Sequence, residues 1–220
     1  MKKDIVIYGA SGLGREILYL IKSRLSDDFN VIAFIDDGLS KKQNMTVSDL
    51  PVYSIEFLHN YKSDLGVVIA IADSKIKKKL YENLVFLSHL FFPSIVSPSS
   101  SIALDAFIGE GSIIISSSIS VSAKIGKFVL MNGAVFIGHD VLVGDNVSIM
   151  PRCSISGNVK IENNVSIGAH SFVIQGKKIG ENSIVAPGSI VFTNVPANVT
   201  VMGNPATILV RHNDHKNKNC

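Results

Sequence analysis

Apolar residues along this chain follow two different periods, one in each half. Near the start, "IVIY" (5–8) is a short apolar run that ends at "GASGLGRE". Ile17, Leu18, Leu20, Ile21 and Leu25 then recur at close to helical spacing, which predicts an amphipathic helix over "REILYLIKSRL". "NVIAFIDD" (30–37) predicts a second buried strand that ends in two aspartates. "PVY" and "SIEFLHNY" read as a short strand and a helix. "GVVIAIAD" reads as a third strand, and "SKIKKKLYENL" as a helix that Ser74 can cap. The runs "GVVIAIA" (66–72) and "LVFL" (84–87) read as buried core. Strands alternating with helices predict a parallel sheet with crossover helices, a Rossmann-like α/β unit over residues 1–92.

The period then becomes six. Ile119, Ile125, Met131, Ile137, Val143, Ile149, Ile155, Ile161, Ile167, Val173, Ile179, Val185 and Val191 are thirteen aliphatic residues in unbroken register. Ile102, Ile108 and Ile114 keep the same spacing one residue out of register. The next residue is often small, as at Gly126, Gly138, Gly144 and Gly168, and reads as the place where the chain turns. A six-residue period fits neither a helix nor an alternating strand. It predicts an all-β parallel β-helix in which each hexad is a short strand plus a turn, and three hexads close one triangular coil. Each inward aliphatic residue contributes roughly 1.5–3 kcal/mol of burial. The β-helix is expected over residues 93–202, with about five coils between 102 and 192, followed by a C-terminal tail over 203–220. The end of that tail, "RHNDHKNKNC", has no periodicity and reads as mobile.

Composition narrows the function classes. Of 220 residues, 46% are hydrophobic and 18% charged, which suits a folded core. A net charge of +3 is too small to argue for nucleic acid. The one basic run, "KIKKK" (75–79), reads as a solvated helix face. Two cysteines, Cys153 within the hexads and Cys220 at the end, give no disulfide framework, so a cytoplasmic location is expected. The apolar run after Met1-Lys2-Lys3 is too short for a signal peptide, and no run approaches the ~18 residues of a membrane span.

Within "IGHDVLVGDNVSI" (137–149) a histidine and an aspartate stand in a hexad turn, outside the inward stripe. One coil is three hexads, so the residue stacked on His139 is Gly157. A glycine leaves its backbone N–H open to a bound group. A base beside such a donor is what acyl transfer requires: one group takes the nucleophile's proton, the other holds the carbonyl oxygen. Asp140 is adjacent, and a carboxylate beside an imidazole fixes its tautomer and stabilises the protonated ring. Cys153 reads as a small core residue. Zinc hydration chemistry on a β-helix needs three histidines. The repeats hold only His139 and His170, in different hexad slots, so no metal is expected.

Four stretches, "YGASGLG" (8–14), "FIDD" (34–37), "NGAVFIGHD" (132–140) and "VMGNPA" (201–206), resemble the bacterial sugar acetyltransferases of the hexapeptide-repeat type. That family includes UDP-4-amino-sugar N-acetyltransferases and sialic-acid O-acetyltransferases. The resemblance spans nearly the whole chain. It implies a left-handed β-helix, acetyl-CoA as co-substrate and a homotrimer with active sites between subunits. It implies His139 as the catalytic base, Asp140 as the neighbour that raises its basicity, and Gly157 as the oxyanion donor. By offset along the coils, the family's coenzyme contacts fall on Ser148, Ala169 and Pro187. Ser148 stands for a larger polar residue there, and Pro187 for a glycine. Lys177 and Lys178 either meet coenzyme phosphates or are solvated.

In the first half, "GASGLG" opens a helix after a strand, where backbone N–H groups bind phosphate. Its spacing is not that of a dinucleotide fingerprint, and ~90 residues suit a nucleotide-sugar better. The resemblance places Ser11, Gly12, Leu13, Asp36, Asp37 and Ala72 at that substrate. Leu13 stands where histidine is frequent, and Ala72 where the strand ends in glycine. Asp36 and Asp37 either accept from ribose or base, or cap the turn into "DGLS". Asn132 either binds substrate or fills a left-handed turn. The expected activity is acetyl transfer from acetyl-CoA to the amine of a 4-amino nucleotide-sugar, in surface-glycan biosynthesis. The alternatives are transfer to a hydroxyl of a sialic-acid-type or polysaccharide sugar, and a non-catalytic scaffold that binds a sugar-nucleotide. Neither nucleic acid nor membrane is expected as a partner.

Overall fold

The computed structural model describes residues 2–42 and 44–212, and their contacts divide the chain after Pro98. The first unit runs β1 (Lys3–Tyr8), α1 (Gly12–Arg24), β2 (Phe29–Ile35), β3 (Thr46–Val47), β4 (Leu50–Tyr53), α2 (Glu56–Asn60), β5 (Leu65–Ile69), α3 (Ser74–Leu84) and β6 (Leu90–Phe91). Its sheet has the order β3-β4-β2-β1-β5-β6, parallel except for the short β3–β4 pair. Central β1 is apolar on both faces, with Ile5, Val6 and Ile7 fully buried, as a strand covered on both sides must be. The chain moves from β1 to one side and returns to the other at β5. The C-terminal ends of β1 and β5 are therefore the switch point where open α/β sheets leave a crevice.

Three local expectations change here. Asp73, not Ser74, caps α3: its carboxylate accepts from the N–H groups of Lys75 and Ile76, while Ser74 is the first helical residue. "LVFL" is not all core, because α3 ends at Leu84 and leaves Phe86 85% exposed on the following turn. In "KIKKK" the faces are inverted relative to composition: Lys77 is 2% exposed and Ile76 52%. The helix phase, fixed by burying Leu84, carries Lys77 inward.

The second unit is a parallel β-helix of two-residue strands stacked in three sheets. The first face stacks the strands that begin at Ser101, Ser118, Phe136, Ser154, Phe172 and Ile190. The second face stacks those that begin at Phe107, Lys124, Leu142, Lys160 and Lys178. The third stacks those at Ile113, Leu130, Ser148, Ser166 and Ile184, then Val199–Gly203. All thirteen hexad aliphatics from Ile119 to Val191 are buried. A second inward row two residues earlier holds Val135, Val141, Cys153, Ser171 and Ser183. The buried hydroxyls of that row donate to backbone carbonyls, Ser171 to Ala186 and Ser183 to Pro196, so each is satisfied.

The register slip before Ile119 has a simple form. Ile119 pairs with Ile102, Ile125 with Ile108 and Met131 with Ile114, so the first coil is one residue short of the others and still points its isoleucines inward. The turn assignment is corrected. The left-handed corner falls three residues after the inward aliphatic, at Ser122, Phe128, Ala134, Asp140, Asn146, Arg152, Asn158, Asn164 and His170. The small residue directly after the aliphatic is small because coils touch there. A Cβ on Gly138 would lie 2.6 Å from the Gly157 nitrogen. The segment expected as tail begins with a strand, Ala206–Arg211, which folds back antiparallel on Val199–Gly203. Most of "RHNDHKNKNC", residues 213–220, lies outside the described residues.

Candidate active site

His139 follows the Phe136–Ile137 strand and stands at the corner between the first and second faces. The next residue, Asp140, adopts φ 57°, and its N–H donates to the Val121 carbonyl one coil below. That conformation turns the Asp140 carboxylate back onto its neighbour, so His139 Nδ1 lies 2.8 Å from Asp140 Oδ2. An ionised carboxylate only accepts, so Nδ1 carries the proton and Nε2 presents its lone pair. The two side chains are 50% and 55% exposed, and the ring is open to a ligand.

Gly157, one coil above, lies against that ring. A Cβ built on it would meet His139 Nε2 at 2.4 Å and Cε1 at 2.5 Å, so only glycine fits while the imidazole keeps this position. Gly157 is itself buried, its carbonyl accepts from Gly176, and its N–H donates to no described residue. A base with an available lone pair and an uncommitted buried N–H thus lie side by side. This arrangement can remove a proton from a nucleophile and stabilise an oxyanion.

The other candidate residues are distributed over different corners. Asn132 lies at the corner between the third and first faces, across the whole first face from His139. Ala169 and Pro187 share that far corner, half-buried and exposed respectively. Ser148 is 1% exposed, so a ligand does not reach its side chain in this arrangement. Lys178 pairs with Glu162 at 2.6 Å and holds that carboxyl below its ordinary range. Cys153 is buried and donates to the Gly168 carbonyl at 3.0 Å, and burial pushes its thiol up. Among the described residues no three His, Cys, Asp or Glu side chains converge as a metal site.

In the first unit, Ser11 precedes α1 with an extended backbone and an uncommitted hydroxyl as N-cap, and Gly12 faces open space. Gly14 packs so closely on the Gly9 carbonyl that a Cβ there would lie 1.9 Å from it. That contact pins the start of α1 at the switch point beside exposed Ala72, with Leu13 half-buried. The aspartates are committed internally. Asp36 accepts from Ala10, Gly38 and Leu39. Asp37 accepts from Ile55 N–H and from the Tyr8 hydroxyl at 2.6 Å. Burial and that carboxylate push the Tyr8 phenol well above its ordinary range. Of the two readings left open for the aspartates, the geometry displays turn capping for Asp36, while Asp37 joins β1 to the start of α2 instead. Tyr8, the partner of Asp37, carried no signal in sequence beyond its place at the end of a strand.

A coil of hexads with a histidine against a glycine defines a hexapeptide-repeat acyltransferase fold. The match to a model described as bacterial transferase hexapeptide (six repeats) covers residues 140–175, and a match to the PglD N-terminal domain covers residues 4–84. The chain is 35% identical to WeeI from Acinetobacter baumannii AYE, over 94% of this chain and 100% of that one, with a TM-score of 0.84. It is 25% identical to the acetyltransferase domain of PglB from Neisseria gonorrhoeae FA1090, solved in complex with acetyl coenzyme A, over 95% and 100% of the two chains, with a TM-score of 0.85. The chain belongs to the bacterial sugar acetyltransferase family of left-handed β-helix, hexapeptide-repeat enzymes. A 2,3,4,5-tetrahydropyridine-2,6-dicarboxylate N-acetyltransferase of Clostridium perfringens is 48% identical over 52 residues, 24% of this chain. The chain matches only 22% of the length of that curated relative. No helix among the described residues is long and apolar enough to cross a membrane.

Proposed function

We propose that this chain is an acetyl-CoA-dependent sugar N-acetyltransferase of surface-glycan biosynthesis, acting as a cytoplasmic homotrimer on the amine of a 4-amino nucleotide-sugar. One observation carries the reading: the uncommitted, buried N–H of Gly157 lies beside an imidazole whose other nitrogen is held by Asp140. His139 Nε2 takes a proton from the amine as its nitrogen bonds to the thioester carbonyl carbon. The Gly157 N–H donates to the oxygen that gains charge. Collapse breaks the carbon–sulfur bond, and the His139 imidazolium returns its proton to the leaving thiolate. Atoms balance without a covalent enzyme intermediate, in keeping with the buried, hydrogen-bonded state of Cys153. The acetyl-CoA-bound PglB domain supports the donor, and the N-acetyltransferase from C. perfringens supports an amine acceptor. Ser11, Gly12, Leu13 and Ala72 at the switch point would take the nucleotide, with Asp36 and Asp37 shaping that crevice from behind.

The test is acetyl transfer from acetyl-CoA to a panel of UDP-, TDP- and GDP-linked 4-amino sugars, with free sialic acid alongside. Transfer to one of the amines, falling roughly 10²–10⁴-fold in His139→Ala at unchanged melting temperature, is expected. Acetylation of sialic acid alone would replace the amine with a hydroxyl. Full activity in His139→Ala would remove the base.

A further inference from the structure

Arg152 has no assigned role and stands in an unusual state. It occupies a corner between the third and first faces with φ 60°, a conformation that strains a non-glycine residue and that asparagine, aspartate or glycine fills at most other corners. Its N–H is tied to the Gly133 carbonyl and its side chain is exposed. Its guanidinium pairs with nothing among the described residues. His170 stacks one coil above in the same conformation, and Ala134 one coil below. An unpaired arginine fixed by a rigid backbone is a ready receptor for a phosphate.

Within one chain this corner is separated from His139 by the first face. A closed ring of three chains removes that separation. Its inward face has to be free of like charges that would meet around the axis. The second face carries Lys124 and Lys160, together with Lys178 in its pair with Glu162. On the third face Ile113, Leu130 and Ser148 are already buried in the single chain. The first face presents Ser118, Phe136, Ser154, Phe172 and Ile190, with no charge, and its phenylalanines 136 and 172 are 46% and 38% exposed. Turned inward, it brings the His139 corner of each chain against the Arg152 corner of the next. An axis parallel to the prism preserves height, and thirteen residues of an 18-residue coil advance only about 3.5 Å along it. His139 and the neighbour's Arg152 are therefore nearly level.

We infer that each active site is completed by Arg152 of the partner subunit, which binds the diphosphate of the nucleotide-linked acceptor. The inference rests on the transferase and trimer reading given above. The coenzyme has phosphates too, but the pantetheine arm keeps them far from the thioester. The charge one sugar ring from the reacting amine is the acceptor's.

The experiment compares wild type with Arg152→Gln on the best nucleotide-linked acceptor of the panel. KM for that acceptor should rise roughly 10- to 100-fold, the loss of a charge-assisted contact, with KM for acetyl-CoA unmoved. Unchanged acceptor KM, or a rise confined to acetyl-CoA, overturns the assignment. Co-expressed His139→Ala and Arg152→Gln chains form mixed trimers in which one interface pairs an intact His139 with an intact Arg152. Recovery of wild-type acceptor KM there is expected, and no recovery overturns the cross-subunit placement. A wild type that acetylates none of the amines sinks the transferase reading instead. Calorimetry with the same nucleotide-linked sugars then decides Arg152 separately: equal affinity in wild type and Arg152→Gln overturns its role.

Discussion

At the scale of the residue, the His139–Gly157 contact makes a sharp prediction because the two are differently constrained. Gly157 is buried between coils, while the His139 ring is half exposed and can rotate away from an added methyl group. Gly157→Ala should therefore melt within a degree or two of wild type yet lose roughly 10²–10³-fold in kcat, because the base is displaced from the carbonyl it serves. Thermal melts and steady-state acetyl transfer on one preparation check this. Wild-type turnover in Gly157→Ala would mean that the imbalance of space beside His139 has no catalytic meaning. The offset of 18 residues was legible from the period alone. The 2.8 Å contact from Asp140 was not, because adjacent side chains meet only when the corner adopts its left-handed conformation.

At the scale of the element, α3 carries a cost that its amphipathic pattern hides. Burial pushes the Lys77 ammonium from its ordinary 10.5 down to about 7, and the Asp73 carboxylate offsets only part of this. Below pH 7 the residue is charged in both folded and unfolded chains, and the desolvation penalty opposes folding in full. Between pH 7 and 10.5 the unfolded chain holds the proton and the folded one does not, so stability rises with pH. Lys77→Met should raise the melting temperature at pH 7 by several degrees, at roughly 2–4 °C per kcal/mol. That gain should shrink toward pH 10. Melts across this range test it, and an equal loss at every pH would show that the ammonium is fully compensated where it lies.

At the scale of the whole molecule, the uncharged first face sets the expected assembly. Phe136 and Phe172 point outward from it and contribute nothing to the interior of their own prism. Replacing both with Asp should leave the circular dichroism of the chain unchanged. Sedimentation should shift from a three-chain to a one-chain mass, and acetyl transfer should be lost with the subunit contact. A single-chain mass for wild type would contradict the ring, and a three-chain mass for the double variant would move the interface to another face.

The sequence by itself determined what points inward. Burial in a β-helix is one local event repeated every six residues, so the stripe from Ile119 to Val191 declares the fold, the coil length and the stacking of His139 on Gly157. The strand–helix alternation of the first unit declared its parallel sheet for the same reason. Only the tertiary structure decided what happens between coils and between elements. It moved the turn to the third residue after each aliphatic, because the glycines directly after the aliphatics answer to the coil above rather than to their own backbone. It committed Asp36 and Asp37 to Ala10, Tyr8 and Ile55, partners far away in sequence. The 18-residue coil already assigns Asn132 and Arg152 to one corner and His139 to another; only the folded backbone showed that the left-handed corner at Asp140 turns its carboxylate back onto His139.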